Sequence, residues 1–274
     1  MRFKRSERIV YMTQYLLKHP NELVPLTYFV NHFGQAKSSI SEDIQIIKET
    51  FTAERLGIIE TTAGASGGVT YRPKMYVEEA RELIEKLCEL LKEKERLLPG
   101  GYLFMSDLVG NPKLLNQVGE LIATMYMDEE LDAVVTIATK GISLANAVAK
   151  VLNLPVVVIR KDNKVTEGST VSINYVSGSS RKIETMVLSK RTLPEYSNVL
   201  IVDDFMRAGG SINGVINLMN EFKATVKGVS VLVESKEVKH RLIEDYTSLV
   251  RLSDVDEYNQ QFSVEEGNCL KRFN

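Results

Sequence analysis

One run of thirteen residues decides the fold of the larger part of this chain: Val199, Leu200, Ile201, Val202, Asp203, Asp204, Phe205, Met206, Arg207, Ala208, Gly209, Gly210 and Ser211. Its four aliphatic residues are typical of a strand buried on both faces of a parallel sheet. Two carboxylates end that strand, a glycine-containing loop follows, and a helix is expected to begin at the serine. The loop N–H groups and the helix dipole then converge on one point, which suits a phosphate. The aspartates are placed to accept hydrogen bonds from vicinal ribose hydroxyls.

The sequence on either side of this run alternates between strands and helices. Strands are expected at 133–138, 156–160, 199–202 and 226–233, helices at 111–127, 143–152 and 211–222, and hairpin-like strands at 169–176 and 182–188. This alternation indicates an α/β fold with a parallel sheet covered on both faces. Ligands of such sheets bind beyond the carboxyl ends of the strands.

The run at 199–211 resembles the phosphoribosyl pyrophosphate (PRPP) motif of type I phosphoribosyltransferases. Thr139, Lys140 and Gly141, which follow the first predicted strand, resemble the pyrophosphate loop of that family, with Lys140 as the charge partner. The resemblance also implies that Arg160 and Lys161, a basic pair after the next strand, contact pyrophosphate oxygens. Two interpretations of Tyr102 stay open, because its ring can contact such a ligand or belong to the core.

Two residues of the run depart from the purine enzymes of the 6-oxo type. Those enzymes carry an aspartate beside the base at the position of Arg207, and arginine stays protonated at any relevant pH, so it cannot act as a base. Ala208 replaces a threonine whose hydroxyl contacts phosphate. Other branches of the family carry alanine or serine at the first of these positions and remain active. The departures nevertheless favour a pocket that binds multiply charged phosphates without turnover, with Arg207 adding charge-assisted hydrogen bonds. We expect no enzymatic activity and no catalytic cofactor.

The first 74 residues have a different pattern, that of three short helices and a hairpin. The first helix is expected to be capped by Ser6, the second to end at Gly34 in the left-handed conformation, and the third to begin near Ser38 or Ser39. The β-prone runs at 57–62 and 69–72 flank a glycine-rich tip and complete a winged helix. A helical subdomain that merely packs on the rest of the chain is the alternative. The candidates for contacting DNA phosphates are Arg2, Lys4, Arg5, Arg8 and Arg72, and those for reaching base edges are Ser38, Ser39, Ser41 and Gln45.

Charge and composition agree with two domains, 1–74 and 75–274, and a helix is expected to open the second at 75–97. Residues 1–74 carry ten Lys and Arg against seven Asp and Glu, although the whole chain has a net charge of −2. The 44% hydrophobic and 26% charged residues are ordinary for a globular protein. No uncharged apolar stretch is long enough for a membrane span, and the N-terminus lacks an apolar leader, so a cytoplasmic location is expected. Cys88 and Cys269 support neither a disulfide framework nor a zinc site.

Across its whole length the chain resembles the purine operon repressors of Gram-positive bacteria. The resemblance implies a homodimer that binds double-stranded operator DNA upstream of purine synthesis genes and is released by PRPP. It also implies that the alarmone ppGpp competes for the same pocket. Mg²⁺ stays open, because Asp203 and Asp204 can serve ribose hydroxyls without holding a metal. The alternatives are an active xanthine-type phosphoribosyltransferase with an accessory N-terminal domain, and a nucleotide sensor whose N-terminal domain of residues 1–74, called the head below, binds proteins.

Overall fold

The computed structural model describes residues 3–64, 67–162, 168–177, 183–236, 238 and 240–273. The chain forms two compact units, one of Met1–Tyr76 with Val151–Asn153 and one of Val77–Lys150 with Leu154–Asn274. No helix in the described part of the chain combines the length and the apolar character needed to cross a bilayer.

The first unit contains three helices and a three-stranded antiparallel sheet in the order β1-β3-β2. Its elements are α1 (Arg5–Lys18), β1 (Val24–Pro25), α2 (Leu26–Phe33), α3 (Lys37–Ala53), β2 (Ile58–Thr62) and β3 (Gly68–Arg72). The predicted helices and hairpin are confirmed, and Gly34 ends α2 with a φ of 61°. The predicted cap at Ser6 is wrong, because α1 begins at Arg5 and the Glu7 carboxylate accepts a hydrogen bond of 2.7 Å from the Lys4 N–H.

The core of the first unit forms where one face of each helix meets the sheet. Ile40, Ile44, Ile47 and Phe51 of α3 are buried, as their helical spacing predicts. They pack with aromatic and aliphatic side chains of α1 and α2. Each such side chain contributes about 1.5–3 kcal/mol by leaving water. Asp43 lies on the same buried face, and the amphipathic pattern did not predict a carboxylate there.

The second unit is built on a six-stranded sheet in the order β13-β12-β11-β10-β6-β7. The elements of this unit are α4 (Val77–Leu91), β4 (Leu97–Leu98), β5 (Tyr102–Leu103), α5 (Ser106–Val109), α6 (Pro112–Met125), β6 (Ala133–Ile137), α7 (Gly141–Leu152), β7 (Val156–Ile159), β8 (Thr170–Val176), β9 (Ile183–Ser189), β10 (Asn198–Met206), α8 (Gly210–Glu221), β11 (Thr225–Ser235), β12 (Thr247–Asp256) and β13 (Gln261–Glu266). All neighbours in the sheet are parallel except β12 and β13. This confirms the α/β fold with a mostly parallel sheet.

Three sequence predictions for the second unit need correction. The helix expected at 75–97 ends at Leu91, because the Arg96 guanidinium turns inward to hydrogen-bond both carboxylate oxygens of Asp107 at 2.8 Å. The strand expected at 199–202 continues to Met206, so both aspartates lie within β10 and not after it. Strands β12 and β13 were not predicted, and together they complete one side of the sheet.

Candidate functional site

The run at 199–211 lies at the topological switch point of the large sheet. From β6 the chain passes through α7 to β7 on one side, whereas from β10 it passes through α8 to β11 on the other. Because the connections diverge from two adjacent strands, a crevice opens beyond their carboxyl ends, which is where doubly wound sheets bind ligands. Both predicted phosphate loops, 138–141 after β6 and 206–210 after β10, border this crevice.

The adjacent aspartates of β10 have different environments. Asp203 is buried, and its Oδ1 accepts a hydrogen bond of 3.0 Å from the Asp204 N–H. Burial and then the neighbouring Asp204 charge raise the pKa of Asp203 well above its usual value. Burial also raises the pKa of Asp204. Lys140 of the β6 loop borders the same cavity as Asp204, so the two loops meet there. Asp204 borders the cavity described below, whereas Asp203 lies behind it.

Gly141 allows the β6 loop to approach the aspartates closely. A Cβ atom at this position would collide with Oγ1 of Thr136 and Oδ1 of Asp203. The Thr136 hydroxyl is buried. Thr139 and Lys140 precede Gly141 and are exposed. The glycine that the sequence pattern placed in a phosphate loop therefore also brings α7 up against Asp203.

The loop that follows β10 is held from two directions. Arg207 Nη1 donates a hydrogen bond of 2.8 Å to the Gly100 carbonyl oxygen. On the other side, the Leu242 N–H donates to the Ala208 carbonyl oxygen at 2.9 Å, and Gly209 lies against the Ile243 side chain. These contacts fix the loop conformation before any ligand binds, which lowers the entropy cost of binding.

A cavity of about 300 Å³ opens over this loop, entirely within the second unit. Eleven of the predicted ligand contacts border it: Tyr102, Lys140, Lys161, Asp204, Phe205, Met206, Arg207, Ala208, Gly209, Gly210 and Ser211. Four of the predicted contacts do not border it: Thr139, Gly141, Arg160 and Asp203. Among the described residues, three that sequence reasoning missed also line it: Ser177, Glu184 and Ile212. The Tyr102 ring lies at the cavity wall, with its centroid 5.3 Å from that of Phe205.

The two basic residues after β7, Arg160 and Lys161, make different contacts. The backbone N–H and carbonyl of Arg160 pair with Val187 of β9 at 3.0 and 2.8 Å, which docks the β8–β9 hairpin on the end of β7. Lys161 Nζ lies 2.9 Å from the Glu184 carboxylate, and this hydrogen bond raises the pKa of Lys161. The predicted phosphate contact is thus already ion-paired in this structure.

The residues at this site do not form a metal centre by themselves. Within the described ranges, no group of three or more His, Cys, Asp or Glu side chains is arranged to hold a metal ion. Asp203 is directed into the Asp204 backbone, so Asp204 is the member of the adjacent pair that borders the cavity.

The first unit presents a separate candidate surface on α3. Ser38, Ser41 and Gln45 are exposed there, and Ser39 is half-buried. The Gln45 amide donates to Glu49 at 2.8 Å on the same exposed face. Small hydroxyls and an amide along an exposed helix are side chains that read base edges in a major groove.

The predicted phosphate contacts of the first unit differ in exposure. Arg8 is buried, and its guanidinium donates to Asp43 at 2.7 Å, so it braces α1 on α3 and is a poor candidate for contacting a phosphate. Arg5 also pairs with Asp43, at 2.9 Å, but about half of its side chain is exposed. Lys4 is exposed. Arg72 lies 3.1 Å from Glu60 on β2. The prediction for Arg2 falls outside the described residues.

Comparison with known proteins assigns both units. Residues 4–73 match the family described as bacterial purine repressor, N-terminal, and residues 105–267 match the phosphoribosyl transferase domain. The purine biosynthesis transcriptional repressor PurR of Bacillus subtilis (strain 168) is 54% identical to this chain. The match covers 100% of this chain and 96% of that protein. The purine biosynthesis transcriptional activator PurR of Lactococcus lactis subsp. lactis (strain IL1403) is 45% identical, covering 97% of this chain and 98% of its own.

A solved structure supports the fold of the second unit. The adenine phosphoribosyltransferase from Thermoanaerobacter pseudethanolicus ATCC 33223 superimposes with a TM-score of 0.54, covering 61% of this chain and 99% of that one. At 21% sequence identity this likeness concerns the fold alone.

Proposed function

The chain belongs to the family of bacterial purine repressors, and from this premise we propose that it represses transcription of purine biosynthesis genes in the cytoplasm. Residues 1–74 bind operator DNA as a winged helix, and residues 75–274 bind PRPP as an effector that releases the DNA. The protein acts as a homodimer and does not catalyse phosphoribosyl transfer.

The composition of the cavity carries the effector part of this proposal. Residues of the loop after β10, Lys140 and Arg207 border the crevice, and Asp204 borders it as an acceptor for ribose hydroxyls. Arg207 stands where purine enzymes of the 6-oxo type carry an acidic group beside the base. A permanently protonated side chain there supports binding of phosphates over proton transfer at a purine ring.

The surface of α3 supports the DNA part of the proposal. Ser41 and Gln45 are exposed on a helix whose opposite face is buried, which is the arrangement of a recognition helix in a winged helix. The excess of three positive charges in residues 1–74 is modest, so one head binds DNA weakly. Two heads in a homodimer, each on one half of a pseudo-palindromic site, supply the missing affinity.

Effector control then requires that PRPP bind more tightly to the protein arrangement that releases DNA, because a ligand shifts an equilibrium only by its differential affinity. The alarmone ppGpp also carries diphosphate groups, so it competes with PRPP at the same loop and preserves DNA binding.

Fluorescence anisotropy of the full-length protein on a duplex carrying the control region of a purine biosynthesis gene tests the proposal. At fixed salt, we expect specific binding that PRPP abolishes and that ppGpp protects from PRPP. Asp203→Ala with Asp204→Ala should make binding insensitive to PRPP. Glu129→Ala with Glu130→Ala is the matched control, since it removes two adjacent exposed acids away from the cavity.

Three results would overturn the proposal. Failure to bind this duplex better than a scrambled one leaves the head as a protein-binding module. Conversion of PRPP and xanthine, guanine or hypoxanthine into a nucleotide shows an enzyme. Increased transcript in a purified transcription assay reverses the sign, and this assay is needed because the L. lactis relative is named an activator.

A further inference from the structure

A carboxylate borders a cavity whose other features favour anions. Glu184 lies on β9, on the same face as the buried residues Met186 and Leu188, and its side chain is 30% exposed. Its Oε2 accepts a hydrogen bond of 2.9 Å from Lys161 Nζ and another of 2.7 Å from the Tyr175 hydroxyl. In a pocket that binds polyphosphates, an acidic side chain repels the ligand unless a neighbouring cation neutralises it.

Tyr175 holds this carboxylate in place. Its side chain is buried against α8, where a Cβ atom at Gly214 would lie 3.0 Å from the Tyr175 ring. Burial and then the hydrogen bond to the Glu184 carboxylate raise the pKa of Tyr175. Tyr175 and Lys161 therefore hold the Glu184 carboxylate from two sides.

Lys161 is one of the residues expected to contact phosphate oxygens, and it borders the same cavity as Ser211. Ser211 follows the loop after β10, and Lys161 follows β7 across the crevice. Glu184 accepts a hydrogen bond from one of the three N–H donors of the Lys161 ammonium and partly neutralises its charge, so it competes with a phosphate oxygen of a ligand for this cation. Two anions cannot both use this single ammonium group at full strength, because each would lie within a few ångströms of the other.

We propose that Glu184 is an internal competitor for phosphate: a ligand gains the full positive charge of Lys161 only by displacing the Glu184 carboxylate from it. This inference rests on the proposed function, since it concerns the same cavity. Glu184 thereby sets a charge requirement. A diphosphate group, with its high negative charge density, displaces the carboxylate, whereas a singly or weakly charged phosphate does not.

Isothermal titration calorimetry of the full-length protein with inorganic pyrophosphate, and separately with PRPP, tests this competition. Glu184→Gln keeps the size of the side chain and a group that can accept from Tyr175, but removes the charge. We expect this variant to bind pyrophosphate about tenfold more tightly than the unmodified protein, and to lose part of its preference for pyrophosphate over inorganic phosphate.

Two further variants separate local competition from a general charge effect. Glu195→Gln removes an exposed carboxylate that also pairs with a lysine, Lys223 at 2.7 Å, outside the cavity, and should leave the pyrophosphate affinity within twofold. In a Lys161→Gln background, Glu184→Gln should bring less than a twofold gain, because the contested cation is absent. If the glutamine variant fails to fold, Glu184→Ala replaces it, with the same expected gain in pyrophosphate affinity and the same dependence on Lys161.

The inference is overturned if Glu184→Gln binds pyrophosphate no more tightly than the unmodified protein, or if its gain persists without Lys161. Those results leave the proposed function intact as long as PRPP still releases DNA from the unmodified protein. If the unmodified protein binds neither pyrophosphate nor PRPP, the proposed function and this inference fail together.

Discussion

Arg207 donates a hydrogen bond of 2.8 Å from its guanidinium to the carbonyl oxygen of Gly100, more than a hundred residues earlier in the chain. The Gly100 N–H in turn donates to the Glu257 carboxylate at 3.1 Å. Arg207 thus ties the segment before β5 to the loop after β10 while still bordering the cavity. One side chain both shapes the wall of the proposed effector site and adds a permanent positive charge to it.

Arg207→Gln should weaken PRPP binding about tenfold, because a hydrogen bond to a charged group contributes about 1.5–3 kcal/mol and about 1.4 kcal/mol is a tenfold change. The dissociation constant from isothermal titration calorimetry checks this. Arg191→Gln is the matched control, since Arg191 is exposed and does not border the cavity. Equal PRPP affinity of the two variants would show that Arg207 serves the protein scaffold alone.

Asp203→Asn should stabilise the protein without ligand. Burial and the Asp204 charge raise the pKa of Asp203, so ionised Asp203 costs folding free energy at neutral pH. Removal of about 1 kcal/mol of this cost raises Tm by about 2–4 °C in a protein of this size. Differential scanning calorimetry at pH 7 measures the shift.

The pH dependence of this gain has a definite sign. A carboxyl whose folded pKa is raised destabilises the fold only above its unfolded pKa, which is about 3.9 for aspartate. The Tm advantage of Asp203→Asn should therefore be absent below that pH and grow as the pH rises through the interval up to the folded pKa. Asp245→Asn, at an exposed position, should show no such growth. An advantage independent of pH would contradict the assigned cause.

Local patterns explain why most of the fold could be predicted from the sequence. The helices of the first unit have apolar residues at helical spacing, α2 ends at Gly34, and β6, β7 and the first half of β10 are largely aliphatic. The helix was predicted to continue beyond Leu91 because Lys92 to Arg96 is rich in good helix formers. In the structure, a contact with Asp107 decides the conformation of Arg96. Intrinsic propensity is weak beside such a tertiary contact.

The residues of the glycine loops and the cations Lys140, Lys161 and Arg207 that border the cavity could be predicted because they follow strand ends along the chain. Glu184 was missed because its partner Lys161 is 23 residues away and meets it only when β9 pairs with the end of β7. The alternation of β9 could have indicated it, since Glu184 lies on the same face of the strand as the buried Met186 and Leu188. Asp43 on α3 is a comparable case, because its helical position places a carboxylate on the face of the buried isoleucines.

Glu234 should make the second unit sensitive to acid. Its buried carboxylate accepts hydrogen bonds from Ser248 at 2.7 Å, Arg241 at 2.8 Å and Arg251 at 3.0 Å. Burial opposes its ionisation, but hydrogen bonds from Tyr246 and Ser248 and the two arginines outweigh burial and lower the pKa of Glu234. We expect Glu234→Gln to reduce the free energy of unfolding at pH 7 by about 2 kcal/mol, the scale for weakened hydrogen bonds to a charged group. Urea unfolding measures this loss.

The loss should shrink on acidification. A carboxylate with a lowered folded pKa stabilises the fold above its unfolded pKa, about 4.3 for glutamate, and this contribution disappears as the pH falls through the folded pKa. Glu265→Gln is the control, since it removes the more exposed acid beside Arg251. A difference between Glu234→Gln and the unmodified protein that stays constant down to pH 3 would exclude ionisation of Glu234 as the cause.

Arg5 and Arg8 both pair with the Asp43 carboxylate, but substitutions of the two residues should have different effects on DNA binding and on stability. The Arg8 side chain is 10% exposed and that of Asp43 is 1% exposed, so Arg8→Gln leaves a buried charge poorly paired and should destabilise the first unit by about 3 kcal/mol. The Arg5 side chain is 52% exposed, and an ion pair at such a site contributes about 0–1 kcal/mol. Arg5→Gln should therefore unfold almost as the unmodified protein does.

Arg5→Gln should instead weaken operator binding and reduce the slope of the logarithm of affinity against the logarithm of salt concentration by about 1, the effect of losing one phosphate contact. Anisotropy titrations at several salt concentrations measure this slope, and hydrogen exchange of residues 3–64 reports the stability of the unit. Lys18→Gln, at the other end of α1, is the charge-matched control. If Arg5→Gln keeps the full salt slope, Arg5 contacts no phosphate and its pairing with Asp43 is structural, as that of Arg8 is.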